Sequence, residues 1–148
     1  MPANEKFELR GVNHIALVCA DMARTVRFYR DVLGMPLVKT IELPGGMGQH
    51  FFFDIGNDDC LAFFWFPGAV DAQPGVSNAP GLPDRGDITS AHASMNHLAF
   101  DVPLERFEEY RRRLIDDGVE VSMILDHDDS EHQVARAFHP GVFVRSFY

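Results

Sequence analysis

Apolar residues recur along the chain with alternating and helical spacing, and the resulting elements occur twice in the same order. In the first stretch, Val12–Ala20 is apolar on both faces, which indicates a strand covered on both sides. Asp21 can cap the helix that follows, and apolar residues at helical spacing run as far as Gly34, which ends it. Three more strands are predicted at Leu37–Leu43, Gln49–Ile55 and Cys60–Phe66. The first stretch therefore predicts a βαβββ module.

The second stretch repeats this order. A strand is predicted from Met95, a helix follows Pro103, and Val119–Leu125 and Val134–Tyr148 are extended. Because the last segment stops in mid-strand, this module is expected to lack its final strand. The predicted domains are residues 8–66, a Pro- and Gly-rich linker or lid at 67–93, and residues 94–148. The sequence thus predicts an α+β fold in which two tandem βαβββ modules form a curved mixed sheet around a cleft.

One histidine lies at the same position of each repeat. The first copy reads Asn13-His14-Ile15-Ala16 and the second reads Asn96-His97-Leu98-Ala99. A single histidine in a strand is more often a core residue whose ring bonds to the backbone. Two histidines at one register of an internal repeat suggest that the two groups meet at one point, which is a candidate active site.

The surrounding motifs resemble those of the vicinal oxygen chelate superfamily, which includes glyoxalases, extradiol dioxygenases, fosfomycin-resistance transferases and bleomycin-binding proteins. The resemblance is carried by the strand around His14, the strand around His97 and the helix end Phe28-Tyr29-Arg30-Asp31-Val32-Leu33-Gly34. It implies a cleft that holds a divalent metal, with His14 and His97 as ligands. Ala62 stands where glyoxalases and epimerases place Glu or Gln. The last ligand, a Glu on the final strand, is expected beyond Tyr148.

Two imidazoles with one carboxylate form the ligand set of non-haem Fe(II) oxygenases, which leaves coordination positions open for substrate. The resemblance therefore favours a metal-dependent, dioxygenase-like oxidoreductase acting on a small aromatic or vicinal-diol substrate. Fe(II) is the favoured metal, with Mn(II), Ni(II) and Zn(II) as alternatives. Two other functions stay open: a glyoxalase-type isomerase/lyase or thiol transferase, and a metal-free protein that binds a small drug-like molecule.

Aromatic side chains suggest a catalytic group and a substrate pocket. Tyr148 lies where dioxygenases of this family often hold a tyrosine that hydrogen-bonds the substrate, so the resemblance implies a catalytic role for it. An ordinary aromatic residue at the end of a strand is the alternative. The predicted pocket is lined by Phe51, Phe53, Ala62, Phe64 and Phe66. Alternating aromatics are also typical of an ordinary core. The family's acid/base histidine has no clear counterpart, and His50 and His92 are predicted to be surface residues.

Charge and composition limit the partners. The net charge of −9 argues against nucleic acid and anionic lipid, both of which require a basic surface. No apolar run approaches the ~20 residues that cross a bilayer. We therefore expect a cytoplasmic protein that binds a small-molecule substrate, and a homodimer is the expected assembly.

Overall fold

The computed structural model describes residues 6–7, 11–127 and 144–148. The pattern of contacts divides the chain into two compact units, Met1–Asp71 and Ala72–Tyr148. A mixed four-stranded sheet and a helix make up the first unit, and the second contains a helix and two short strands. The predicted α+β class is confirmed. The domain limits drawn from the sequence stay a prediction.

The first unit contains a βαβββ arrangement. Its elements are strand β1 (His14–Val18), helix α1 (Met22–Val26), and strands β2 (Leu37–Leu43), β3 (Gly48–Gly56) and β4 (Asp59–Trp65). A π-helical turn at Arg27–Val32 continues α1. The strand order is β1-β4-β3-β2, in which β1 runs parallel to β4 and the other neighbours are antiparallel. Strand β1 is therefore next to β4, the strand that carries Ala62.

A helix cap, a tight turn and a glycine determine where these elements begin and end. The Asp21 carboxylate accepts a hydrogen bond of 2.9 Å from the backbone N–H of Arg24, which caps α1. Between β3 and β4, Asn57 and Asp58 have φ values of 56° and 63°, as a tight two-residue hairpin requires. At the start of β3, a Cβ on Gly48 would lie 1.9 Å from the carbonyl oxygen of Trp65. Only glycine fits at that position.

The core of the first unit lies on the sheet face that packs against the helix. Phe53 is 0 % exposed and Leu61 is 1 % exposed. The Tyr29 ring packs against Phe53 and Phe63, with ring centroids 5.6 Å and 4.7 Å apart respectively. These contacts bury the helix stripe predicted from the sequence against alternate residues of β3 and β4.

In the second unit, a short 3₁₀ turn at Leu104–Arg106 leads into helix α2 (Phe107–Asp116). Strands β5 (Leu125–His127) and β6 (Val144–Ser146) pair in antiparallel fashion. The Phe107 ring lies 5.0 Å from that of Phe147, so the helix packs against the end of the chain. In the part of the chain described, no helix is both long and apolar enough to cross a bilayer.

Hydrogen bonds fix the part of the Pro- and Gly-rich segment around residues 84–85 within the second unit. Arg85 donates to the Glu120 carboxylate at 2.6 Å and to the carbonyl of Val121 at 2.9 Å. The Asp84 carboxylate accepts from the backbone N–H of Met123 at 2.7 Å. The segment around residues 84–85 is therefore attached to residues 120–123.

Two strands predicted for the second module are not formed as expected. The segment 95–102 is neither helix nor strand, and of Val119–Leu125 only Leu125 belongs to a strand. The prediction for Val134–Tyr148 falls partly on residues 134–143, outside the described residues. Alternation shows which residues favour extended backbone. A strand also requires a neighbouring segment to complete its hydrogen bonds.

Candidate functional site

His14 opens β1 and lies on the sheet face opposite the helix. The strand register places His14 beside Cys60, and Cys60 beside Asp54. One step along the strands, Ala62 lies between Ala16 and Phe52. Because side chains at paired positions point to the same side of a sheet, these residues share one face. We call it the His14 face.

Aromatic rings cover part of the His14 face. The His50 ring stacks on Phe64 with centroids 3.6 Å apart and an interplanar angle of 15°. Phe64 in turn stacks on Phe66 at 5.2 Å and 13°. The Phe52 ring lies 4.2 Å from His50 and 5.8 Å from His14. We call His50, Phe52, Phe64 and Phe66 the aromatic shelf.

The shelf revises the pocket predicted from the sequence. Ala62, Phe64 and Phe66 lie on the His14 face. Phe51 and Phe53 point to the other side of the sheet, because the register pairs them with Phe63 and Leu61. Phe53 belongs to the helix-covered core. Phe51 and Phe53 are therefore not part of the pocket proposed below.

The sequence predicts a surface histidine at position 50, and the structure differs. The His50 ring is half-buried against Phe64, and its Nε2 is covered without a hydrogen-bond partner. The period of two along β3 was the available signal, since His50 and Phe52 share one face and Phe51 and Phe53 share the other. His92, by contrast, is exposed in the linker as predicted.

The surroundings of His50 favour its neutral form. Burial lowers the pKa of the His50 imidazole, and its electrostatic interaction with His14 and Lys39 lowers it further. A neutral imidazole has one ring nitrogen that can accept a proton. The His14 face therefore holds a potential proton acceptor next to an apolar ring stack.

In the second unit, His97 lies against Tyr148, with ring centroids 5.4 Å apart in an edge-on arrangement. Ser122, which is 0 % exposed, fixes the Tyr148 backbone. The Ser122 N–H donates to the Tyr148 carbonyl at 2.6 Å, and the Tyr148 N–H donates to the Ser122 hydroxyl at 2.9 Å. Arg111 donates to the Ser122 carbonyl at 2.8 Å. The fold thus brings two of the predicted site residues together.

Both histidines have the donor chemistry that a divalent metal requires. In each, Nδ1 lies within hydrogen-bond distance of the preceding asparagine's Oδ1, at 2.8 Å for His14 and 2.9 Å for His97. This leaves Nε2 to present a lone pair to a metal ion. Among residues 6–7, 11–127 and 144–148, no three His, Cys, Asp or Glu side chains cluster in metal-binding geometry. Each imidazole fits such an ion as a single donor.

Comparison with known proteins identifies the family. A family model described as the Glyoxalase/Bleomycin resistance protein/Dioxygenase superfamily matches residues 11–142. The chain belongs to this superfamily. The resemblance noted in the sequence is confirmed. The superfamily comprises metal-dependent dioxygenases, glyoxalases and fosfomycin-resistance proteins, and its members bind divalent metals.

The individual proteins that match the chain have low sequence identity to it. The chain is 31% identical over 77 residues to a Bacillus subtilis (strain 168) protein named "Putative ring-cleaving dioxygenase MhqE", a match that covers 49% of this chain and 25% of that protein. The chain therefore spans about a quarter of the length of this curated relative. The crystal structure of SMU.1112c is similar at 25% identity with a TM-score of 0.61, covering 82% of this chain and 84% of that one.

A third relative is FosX from Listeria monocytogenes, a genomically encoded fosfomycin resistance protein. A variant of it was crystallised with Mn(II) and dihydroxypropylphosphonic acid. This FosX structure matches with a TM-score of 0.51 at 18% identity, and the match covers 82% of this chain and 79% of the FosX chain. At this identity the similarity shows the fold alone.

Proposed function

We propose that this chain forms the metal-binding part of a dioxygenase-like oxidoreductase that acts on a small aromatic or vicinal-diol substrate. The observation that carries the proposal is the His14 face, where an imidazole stands beside a stack of flat rings. The name of the Bacillus subtilis relative supports the same reaction class. His14 and His97 supply the imidazole donors, and Fe(II) is the favoured metal, with Mn(II), Ni(II) and Zn(II) as alternatives. When bound, such a metal supplies Lewis acidity and one-electron chemistry with open positions for a bidentate substrate.

The aromatic shelf gives the substrate its orientation. A flat ring can continue the stack formed by His50, Phe64 and Phe66, since aromatic rings favour offset stacking at these separations. Ala62 is fully buried, and its side chain carries no atom that could bind a metal. This favours the two-histidine ligand set over the four-ligand set of glyoxalases.

Two side chains can handle the protons of the substrate. Neutral His50 accepts a proton from a substrate hydroxyl on the His14 face. Tyr148, held beside His97, donates a hydrogen bond from its phenol to a substrate oxygen. The role of His50 rests on its contact with Phe52, whose ring also lies against His14. The role of Tyr148 rests on its contact with His97.

Metal retention tests the ligand assignment. The wild type, His14→Ala and His97→Ala are loaded anaerobically with Fe(II), desalted and assayed for metal. We expect the two variants to lose the ion while their circular dichroism spectra stay unchanged. His92→Ala removes an exposed linker histidine and serves as the matched control, with metal retained. Full occupancy in His97→Ala contradicts the assignment.

Activity separates the competing functions. Oxygen consumption with catechols by the Fe(II)-loaded protein supports the dioxygenase, and Tyr148→Phe should reduce the turnover number roughly 100-fold if its hydroxyl contacts the substrate. Turnover of thiohemiacetals or epoxides with Ni(II), Zn(II) or Mn(II) supports a glyoxalase-type lyase or a thiol transferase instead. Tight binding of an aromatic ligand without metal supports the binding-protein alternative.

We also propose that the active form is a homodimer. The described sheet has two edge strands, β1 and β2, and unpaired strand edges favour association. The cytoplasmic location stays a prediction.

A further inference from the structure

The two candidate ligands share a feature that the metal assignment does not explain. Each is preceded by an asparagine whose side-chain oxygen faces the histidine Nδ1, at 2.8 Å in the first unit and 2.9 Å in the second. The contact therefore occurs in both units, although His14 lies in a strand and His97 does not. An arrangement that persists in two backbone settings points to a requirement of the histidine.

The orientation of the Asn96 amide is fixed by its other contacts. Its Nδ2 donates to the carbonyl oxygen of Ile88 at 2.8 Å and lies 3.2 Å from the Ser90 hydroxyl. A carbonyl only accepts hydrogen bonds, so the amide nitrogen must face Ile88. The amide oxygen must then face His97.

That oxygen determines which ring nitrogen carries the proton. An amide oxygen only accepts, so the Nδ1 that faces it must be the N–H donor. In a neutral imidazole the other nitrogen, Nε2, then holds the free lone pair. A metal ligand must present such a lone pair, and a partner on the opposite nitrogen also sets the direction of the ring.

We propose that Asn13 and Asn96 are positioning residues that hold His14 and His97 in the Nδ1–H tautomer and direct each Nε2 toward a divalent metal ion. The tautomer is argued from the hydrogen bonds alone, whereas the metal rests on the proposed function. Neither asparagine touches the metal or the substrate in this proposal. Their effect is transmitted through the histidine ring.

The tautomer is measured directly by nitrogen NMR of the imidazole rings in the metal-free full-length chain. The His14 and His97 signals are assigned by their loss in the alanine variants, and both should show Nδ1 protonated and Nε2 bare. Asn13→Ala and Asn96→Ala should each shift the paired histidine toward a mixture of tautomers. Asn96→Asp keeps an acceptor and should restore the Nδ1–H form.

Ser90→Ala is the matched control, because it removes one contact of the Asn96 amide nitrogen and leaves the oxygen facing His97. Its tautomer should equal that of the wild type. If Asn13→Ala and Asn96→Ala leave both tautomers unchanged, the positioning role is wrong.

Metal affinity separates this inference from the proposed function. Titration of the wild type and variants with Zn(II) as the probe should show 10- to 100-fold weaker binding in each alanine variant, the usual effect of removing such a partner. An altered tautomer with unchanged affinity would overturn the link between the asparagines and the metal. If the wild type binds no metal but shows both Nδ1–H forms, the proposed function fails and the tautomer assignment stands.

Discussion

At the scale of single residues, Ala62 is the position that distinguishes the proposed chemistry from that of the four-ligand relatives. It is fully buried between Ala16 and Phe52 on the His14 face. We expect Ala62→Glu to destabilise the metal-free protein by at least the ~1–3 kcal/mol of overpacking, because a carboxylate is also buried without a partner. A divalent metal should then raise the melting temperature of the variant more than that of the wild type.

Ala62→Met provides the control for this experiment, because it adds similar bulk without an oxygen ligand. Thermal melts with and without Zn(II) should separate the two variants. An equal response to Zn(II) would show that position 62 does not face the metal.

His50 makes stability depend on pH. Burial and the electrostatic interaction with His14 and Lys39 lower its pKa in the folded chain below the ordinary value of about 6.5. Between these two pKa values the unfolded chain binds more protons, so the free energy of unfolding should fall as pH is lowered from about 6.5. Above about pH 6.5 the His50 imidazole is neutral in both the folded and the unfolded chain, so its stabilising effect on the free energy of unfolding is complete. Urea unfolding at several pH values measures this slope, and His50→Phe should make it shallower.

The same prediction can be checked at the residue itself. A His50 ring-proton titration with a midpoint at or above 6.5 would contradict the lowered pKa. His92→Ala, which changes an exposed histidine, should leave the pH slope of the wild type in place.

At the scale of elements, the two faces of the β3–β4 hairpin differ in how deeply their side chains are buried. Phe53 is fully buried against Tyr29, whereas Phe64 is half-buried in the aromatic shelf. Phe53→Ala should cost about 3–5 kcal/mol of unfolding free energy, as expected for a buried phenylalanine. Phe64→Ala removes the same atoms from a partly exposed site and should cost less.

Binding of a catechol should show the opposite order. Calorimetric titration of the metal-loaded protein should find a large loss of affinity in Phe64→Ala, because the stack that orients the ring is gone. Phe53→Ala, measured where it is still folded, should bind nearly as well as the wild type. The reverse order would place the pocket on the helix-covered face.

The sequence predicted the elements better than the faces they present. Strand β2 begins and ends as predicted, and the predicted limits of β3 and β4 differ from the observed limits by one residue. Alternation shows that Phe51 and Phe53 share one face of β3, but it does not say which face meets the helix. That choice follows from the register with β4 and from Tyr29, both of which are non-local contacts. For the same reason, alternation groups His50 with Phe52 but does not place them on the face opposite the helix.

At the scale of the whole molecule, the repeated Asn-His motif predicted the superfamily, and the family match confirms it. Motifs of this kind are local, so they are readable in one sequence. The strand predicted at 95–102 depends on a partner segment, and the structure does not form it. The Asn–His contacts were also not predicted, because spacing carries no information about side-chain orientation.

The net charge of −9 gives the proposed homodimer a testable salt dependence. Two copies with the same charge repel one another, and this repulsion extends about 30 Å at 0.01 M salt but only about 8 Å at 0.15 M. The dissociation constant of the dimer should therefore fall as salt is added, which sedimentation velocity over a range of protein concentrations can measure. Sodium chloride and potassium chloride should act alike if screening is the cause. A monomer at every concentration and salt level would refute the homodimer, and a dimer that weakens with salt would show that opposite charges at its interface outweigh the net repulsion.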